Sequence, residues 1–282
     1  MSRNKDRLGL DSGPMSSDAV PAFQATGGPL TFSTPTEFVE LPSEGKHYNE
    51  NHPLHGQSVI EIRHMTAKEE DILSSKTLLK KGLALDRFMQ SVIVDKSINV
   101  QDLLVGDRNA ILIAARATGY GEEYETQVVC PACKQSSRFT FDLGQKSLNK
   151  GGDELENITW TDRNTFVTKL PVFGVDVELR MLTGKDEQYL AQLSQNKKNK
   201  NLVNTTLTDQ LRMTIASVNG RTEQATINSL IDNLPAKDSK HLRTVYAKAS
   251  PNVDLSQKFE CSHCFHEDVV EVPLTAEFFW PK

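Results

Sequence analysis

Cys130-Pro131-Ala132-Cys133 and Cys261-Ser262-His263-Cys264 are the two stretches on which the fold turns. They hold all four cysteines of the chain, as two CxxC pairs. Strand-like runs flank each pair. Gln127-Val128-Val129 and Arg138-Phe139-Thr140-Phe141 surround the first, and Gln257-Lys258-Phe259 and Val269-Val270-Glu271-Val272 the second. A CxxC turn presents two thiolates from one tight loop, and a tetrahedral Zn²⁺ needs two such loops. The pattern therefore predicts two zinc-knuckle hairpins closing one site on Cys130, Cys133, Cys261 and Cys264. Four sulfurs fill the tetrahedron, so such a site is structural, with no position open to water or substrate. Four thiolates accept iron as well as zinc. The competing readings are four ordinary thiols, or a redox pair, for which neither knuckle has the βαβ surroundings.

Around this centre, 282 residues suffice for one large or two modest domains, and the hydrophobic content of 38% supports a core. The net charge of −5 argues against a general nucleic-acid binder. No apolar run approaches the roughly 20 residues that span a bilayer. The polar start, Met1 to Arg7, lacks the apolar region of a signal peptide. Synthesis and use in a reducing cytoplasm are expected, where paired cysteines mean metal rather than disulfides.

Outward from the knuckles the chain reads twice. Residues 1–36, rich in Gly, Ser, Pro, Asp and Thr, read as a flexible N-terminal arm, either idle or ordering on a partner. Phe38-Val39-Glu40-Leu41 and Ser58 to Arg63 read as strands. Thr66 with Glu69 forms a capping box opening a helix that Lys80-Lys81-Gly82 ends or bends. An apolar segment, Leu83 to Val94, precedes a helix over Asn109 to Ala117, stopped at Gly119-Tyr120-Gly121. After a polar linker at 144–156, Val177-Glu178-Leu179-Arg180-Met181-Leu182-Thr183-Gly184-Lys185-Asp186-Glu187 matches Ile60-Glu61-Ile62-Arg63-His64-Met65-Thr66-Ala67-Lys68-Glu69-Glu70 without a gap. Leu170-Pro171 echoes Leu41-Pro42, and Pro235-Ala236-Lys237-Asp238 takes the place of Gly106-Asp107-Arg108. A helix continuing through Tyr189 to Leu193, interrupted at Asn196 to Asn201, and helices over Leu207 to Ser217 and Ser239 to Ala249 complete the second copy. The expected fold is α+β. Two internally duplicated strand–helix units, 37–143 and 157–282, each end in a knuckle hairpin and share one zinc-ribbon-like site. A half-site binds metal poorly, so metal binding by both halves belongs to the folding free energy.

The other polar residues offer little chemistry. Glu61/Arg63 and Glu178/Arg180 sit at i, i+2 and read as structural charge ladders rather than an acid–base set. His263 and His266 neighbour the second knuckle but are superfluous beside four cysteines. His47, His52, His55 and His64 show no metalloprotease spacing, and no P-loop, GxGxxG or GxSxG occurs. The run Lys197-Lys198-Asn199-Lys200 reads as a solvated loop. Phe278-Phe279-Trp280-Pro281 is an aromatic tail that packs back near the knuckle or anchors in a partner. A zinc-ribbon nucleic-acid module would need a basic ribbon, whereas the first knuckle offers Lys134 and Arg138 but the second Glu260, Glu267 and Asp268, and that mixed sign argues against it. No enzyme is expected.

One set of residues resembles a known family. It comprises Leu41-Pro42-Ser43 with Gly45 and Tyr48, the helix start Met65 to Leu73, Leu103-Leu104-Val105-Gly106-Asp107-Arg108, the lead Tyr120-Gly121 and Tyr124, and the Phe278 to Pro281 segment. Over roughly 37 to 282 these are similar to the baseplate proteins of contractile-tailed, T-even-like phages, which include hub assembly proteins. The resemblance implies a structural or assembly role in the baseplate hub without catalysis, with other baseplate and tail proteins as partners and the virion as location.

Overall fold

The computed structural model describes residues 33–152, 157–200, 205–274 and 276–279. The expected arm lies outside the described residues as far as residue 32, and Thr36 already opens a strand. That strand, β1 (Thr36–Glu40), pairs antiparallel with β2 (Val59–Arg63), and alternation turns Val39, Ile60 and Ile62 inward. Thr66 and Glu69 form the expected capping box at the start of α1 (Ala67–Ser74). α2 (Lys76–Lys81) stops at Gly82, whose φ of 67° is the left-handed conformation that glycine adopts without strain. α3 (Ala84–Val92) buries Phe88, Met89 and Val92. The central helix α4 (Val105–Tyr120) is buried along most of its first three turns and outruns the expected Asn109–Ala117 at both ends. The strands β3 (Glu123–Val129) and β4 (Ser136–Asp142) form the first knuckle hairpin.

Within the stretch expected as linker, β5 (Ser147–Asn149) pairs with a strand of the second half. Next come β6 (Ile158–Trp160), β7 (Thr165–Lys169), β8 (Asp176–Arg180), α5 (Gly184–Asn199), α6 (Thr206–Thr214) and β9 (Ile215–Val218). The four strands form one antiparallel sheet in the order β6-β7-β8-β9. The expected interruption at Asn196 is not there: α5 runs through to Asn199, since the lysines are good helix formers. The helix expected over Leu207 to Ser217 ends at Thr214, because Ile215 to Val218 is recruited as an edge strand by β8. α7 (Gln224–Asp232), α8 (Ala236–Ala249), β10 (Asn252–Asp254), β11 (Gln257–Glu260) and β12 (Glu267–Val270) follow, β10 being the partner of β5. β11 and β12 make the second knuckle hairpin, with β12 two residues earlier than expected.

Several contacts recur at matching places in the two halves. Arg63 on β2 makes a two-pronged ion pair with Glu69 at 2.6 and 3.1 Å. Arg180 on β8 does the same with Asp186 at 2.7 and 2.9 Å, and Thr183 opens α5 with a capping box. Ile62 bridges Ile93 just after α3, as Leu179 bridges Ile215 just after α6. The fully buried Asp107 of α4 accepts the backbone N–H of Ser43, two residues past Leu41 (3.0 Å). The fully buried Asp238 of α8 accepts that of Val172, two residues past Leu170 (2.8 Å). In each half, then, the first turn of the last helix clamps the turn that follows Leu-Pro.

The segment Leu103 to Arg108 joins the halves residue by residue. The Leu103 carbonyl accepts Gly184 N–H, and Val105 N–H donates to the Leu182 carbonyl. Leu104 N–H donates to the Tyr48 hydroxyl, which donates in turn to Asp107. A β-carbon on Gly106 would lie 1.9 Å from the Pro251 carbonyl oxygen, so only glycine lets α4 approach the second half this closely. Burial pushes the Asp107 carboxyl up, against the pull of Ser43 and Tyr48. Arg108 closes the segment with Asp86 at 2.7 Å.

Arg116, near the end of α4, is 1% exposed and has no carboxylate partner among the described residues. Its guanidinium donates to the carbonyls of Phe278 (3.1 Å), Gly121 (3.0 Å) and Glu123 (3.4 Å) and lies over the rings of Tyr120, Tyr124 and Phe278. Oriented carbonyl dipoles and ring faces stand in for an anion. The aromatic segment therefore packs inside the chain: Phe278 and Phe279 are fully buried, against Tyr124 at 4.9 Å and Phe88 at 4.7 Å. Residues 280–282 lie outside the described ones.

The repeated ion pair predicts acid lability. Burial pushes the Glu69 carboxyl up, but Arg63, Ser91 and Thr66 pull it further down, from 4.5 to about 2. A carboxylate depressed on folding contributes its stability above the unfolded value and loses it as pH falls through the folded one. Melting temperature is expected to drop between pH 4.5 and about 2, and Glu69→Gln should flatten that part of the profile. Parallel profiles for the two proteins would refute the assignment.

Candidate metal centre

Each knuckle is a tight turn at the end of its hairpin, and the two turns are built alike. Cys130 N–H donates to the Gln135 carbonyl and Lys134 N–H returns to Cys130, while Cys261 N–H donates to His266 and Phe265 N–H returns to Cys261. Both turns place the residue after the second cysteine in the left-handed region, Lys134 at φ 61° and Phe265 at φ 56°. Behind them Phe139 and Phe259 meet edge to face at 5.6 Å, with the Ser137 and Ser262 hydroxyls 3.1 Å apart. The hairpins thus pack on each other next to the sulfurs.

The four expected residues converge. Their sulfurs all lie within 4.8 Å of one another, Cys130 and Cys264 at 3.7 Å and Cys133 and Cys261 also at 3.7 Å. A disulfide would need about 2.05 Å. A tetrahedron with metal–sulfur bonds near 2.3 Å has edges of about 3.8 Å, so the donor set fits a four-thiolate metal. Cys130 and Cys261 are fully buried, whereas Cys264 is exposed. The backbone N–H groups of His263 and Cys264 aim at the Cys261 sulfur and pull its thiol down to about 6. At Cys264 the His266 N–H pulls down, but partial desolvation beside the cluster and hydrogen bonds to the neighbouring sulfurs win and push it up to about 12. Crowded sulfurs cannot all ionise unaided; a divalent cation among them removes that conflict.

His263 and His266 are exposed and make no part of the sulfur cluster. His47 stacks on Trp160 at 4.5 Å and His52 on Tyr48 at 4.3 Å, both as packing. No other group of three or more His, Cys, Asp or Glu gathers closely enough to hold a metal among the described residues. The charge ladders resolve into separate contacts, with Arg63 and Arg180 on their helix carboxylates and Glu178 accepting the hydroxyls of Thr165 and Ser217. Lys197, expected in a solvated loop, pairs from helix α5 with Asp209 at 2.5 Å. Sequence reasoning missed Arg116, whose only signal was a cation inside the apolar run of α4. No described helix is long and apolar enough to cross a membrane.

Among known proteins, a family model described as T4 bacteriophage base plate protein matches residues 34–280. No curated protein and no solved structure matches the chain.

Proposed function

Because the chain belongs to the T4 bacteriophage base plate protein family, we propose that it is a structural, non-enzymatic component of the tail baseplate, in its hub region. The family match over nearly the whole chain carries this reading. The chain works through protein–protein contact, is made in the host cytoplasm, and contacts a neighbour through the segment that precedes β1. An open strand edge supports contact as its mode of action: β1 pairs only with β2 among the described strands, and its Phe38 is 69% exposed.

The chain is an internal duplication, each copy running from a Leu-Pro turn and strand pair to a knuckle. The matched pairs Arg63–Glu69 with Arg180–Asp186, and Asp107–Ser43 with Asp238–Val172, support this. Cys130, Cys133, Cys261 and Cys264 hold one zinc ion, with iron the chemical competitor. The ion would cross-link the copies; the chain's own part is to aim two sulfurs from each hairpin and shield them with Phe139 and Phe259.

Quantitative mass spectrometry of purified particles tests the placement. Stoichiometric presence is the expected result. Accumulation in infected cells with absence from particles would make the chain an assembly factor instead. Absence from both would overturn the baseplate role and favour a zinc-ribbon binding module.

A further inference from the structure

The tip of the second knuckle holds three features that are unfavourable in an isolated chain. Phe265 is 74% exposed. It also occupies the left-handed region, at φ 56°, where a bulky side chain costs about 1–2 kcal/mol relative to an ordinary conformation. The first knuckle meets the same backbone demand with Lys134, whose charged end belongs in water. Below the tip, Glu260 and Glu267 face each other directly across β11 and β12, a like-charge pair that weakens a hairpin. Asp268, one position on and paired with Phe259, belongs to the other face of the hairpin, and neither Glu260 nor Glu267 has a cation partner among the described residues. An exposed aromatic at the tip above an acidic pair is an interface anchor whose partner is an apolar pocket with a basic rim.

The same chain carries such a pocket. Between α1, α2 and α3 lies an open cup of about 570 Å³, within the roughly 300–1,000 Å³ of ligand sites. Ile72 and Leu78 supply its apolar lining, and Arg63, Lys68, Arg87 and Lys96 its rim. Of the rim cations, Arg63 pairs with Glu69, while Lys96 donates to the carbonyls of Gln90, Ser91 and Ile93. Lys68 and Arg87 have no acidic partner among the described residues. Lys68 and Arg87, the rim cations left without an acidic partner, are the counterpart in sign of the acidic knuckle tip.

We propose that the occupant of this cup is the Phe265 knuckle tip of a second copy of the chain. Phe265 enters against Ile72 and Leu78, while Glu260 and Glu267 meet Lys68 and Arg87. Knob and hole are different surfaces, so the contact is head to tail and can repeat around a ring or along a row. The contact adds a partner to the baseplate reading and holds whether or not that reading does.

Sedimentation velocity on the full chain, at the highest soluble concentration, tests it. The wild type is expected to self-associate reversibly, and more weakly as salt rises. Phe265→Ala, and separately the pair Lys68→Glu with Arg87→Glu, should each weaken association about tenfold or more. Metal content and circular dichroism should stay unchanged, since all three side chains are exposed. Mixing the two variants is the deciding arm: one keeps the hole and the other the knob, so a mixed dimer should form where neither variant alone associates. A monomeric wild type, or variants that fail to complement each other, would overturn the proposal.

Discussion

Replacing Cys261 with serine is expected to release the metal and to unfold the two knuckle hairpins together. The hydroxyl is a poor ligand beside three thiolates, and Cys261 is one of the two buried sulfurs at the centre of the cluster. Structural zinc contributes on the order of 10 kcal/mol in small metal-folded domains, and here the same bonds tie hairpins from opposite halves of the chain. Set against the typical 5–15 kcal/mol of a whole domain's stability, losing even a fraction of that is enough to unfold a marginal one. Elemental analysis of the purified variant should read no stoichiometric metal, and its thermal transition should fall by tens of degrees or lose cooperativity. Cys130→Ser, on the other hairpin, should behave identically. Metal content and melting that match the wild type in either variant would rule out the shared site.

The second large effect is expected at the contact between α4 and the aromatic segment. Phe278→Ala removes a fully buried ring that packs on Tyr124 and Phe279 and lies under the Arg116 guanidinium. Truncations of this kind cost about 3–5 kcal/mol. Arg116→Met should also destabilise, by about 1–3 kcal/mol for the buried Phe278 carbonyl left without its donor, although it keeps the volume and removes a buried charge. Urea unfolding followed by fluorescence gives both numbers. A loss below about 1 kcal/mol for Phe278→Ala would mean that the segment peels away from the core readily. The outcome also separates packing from binding, since the ring is inaccessible to a partner in the folded chain.

The convergence of the four cysteines was legible in the sequence because thiol chemistry is explicit: a CxxC turn can do few things, and two of them solve one coordination problem. The capping boxes at Thr66 and Thr183 were legible for a similar reason, as local hydrogen bonds with a fixed three-residue spacing. What stayed hidden was non-local. Asp107 finds Ser43 64 positions away, and nothing in Gly106-Asp107-Arg108 names that partner. Arg116 is satisfied by carbonyls, which every residue possesses and which leave no trace in the sequence. Ile215 to Val218 has no turn signal to separate it from α6, and becomes a strand only because β8 offers it an edge. The Glu-x-Arg repeats were visible as a pattern, but their partners, Glu69 and Asp186, emerged only with the strand-to-helix turn.

The 134-residue separation of Cys130 from Cys264 has a consequence for how the protein is made. A ribosome adding about 5–20 residues per second needs on the order of ten seconds to travel from one knuckle to the other. Throughout that interval the nascent first half presents Cys130 and Cys133 without their counterparts, beside an edge at β5 whose partner β10 is still unsynthesised. Long-range pairings of this kind fold slowly, because the loop must close before any contact rewards it. Closure of the four-cysteine cluster is therefore a late event of biogenesis. If the cluster takes the proposed ion, a cell short of that metal would accumulate full-length polypeptide arrested one step before completion, with thiols open to oxidation and sheet edges open to aggregation.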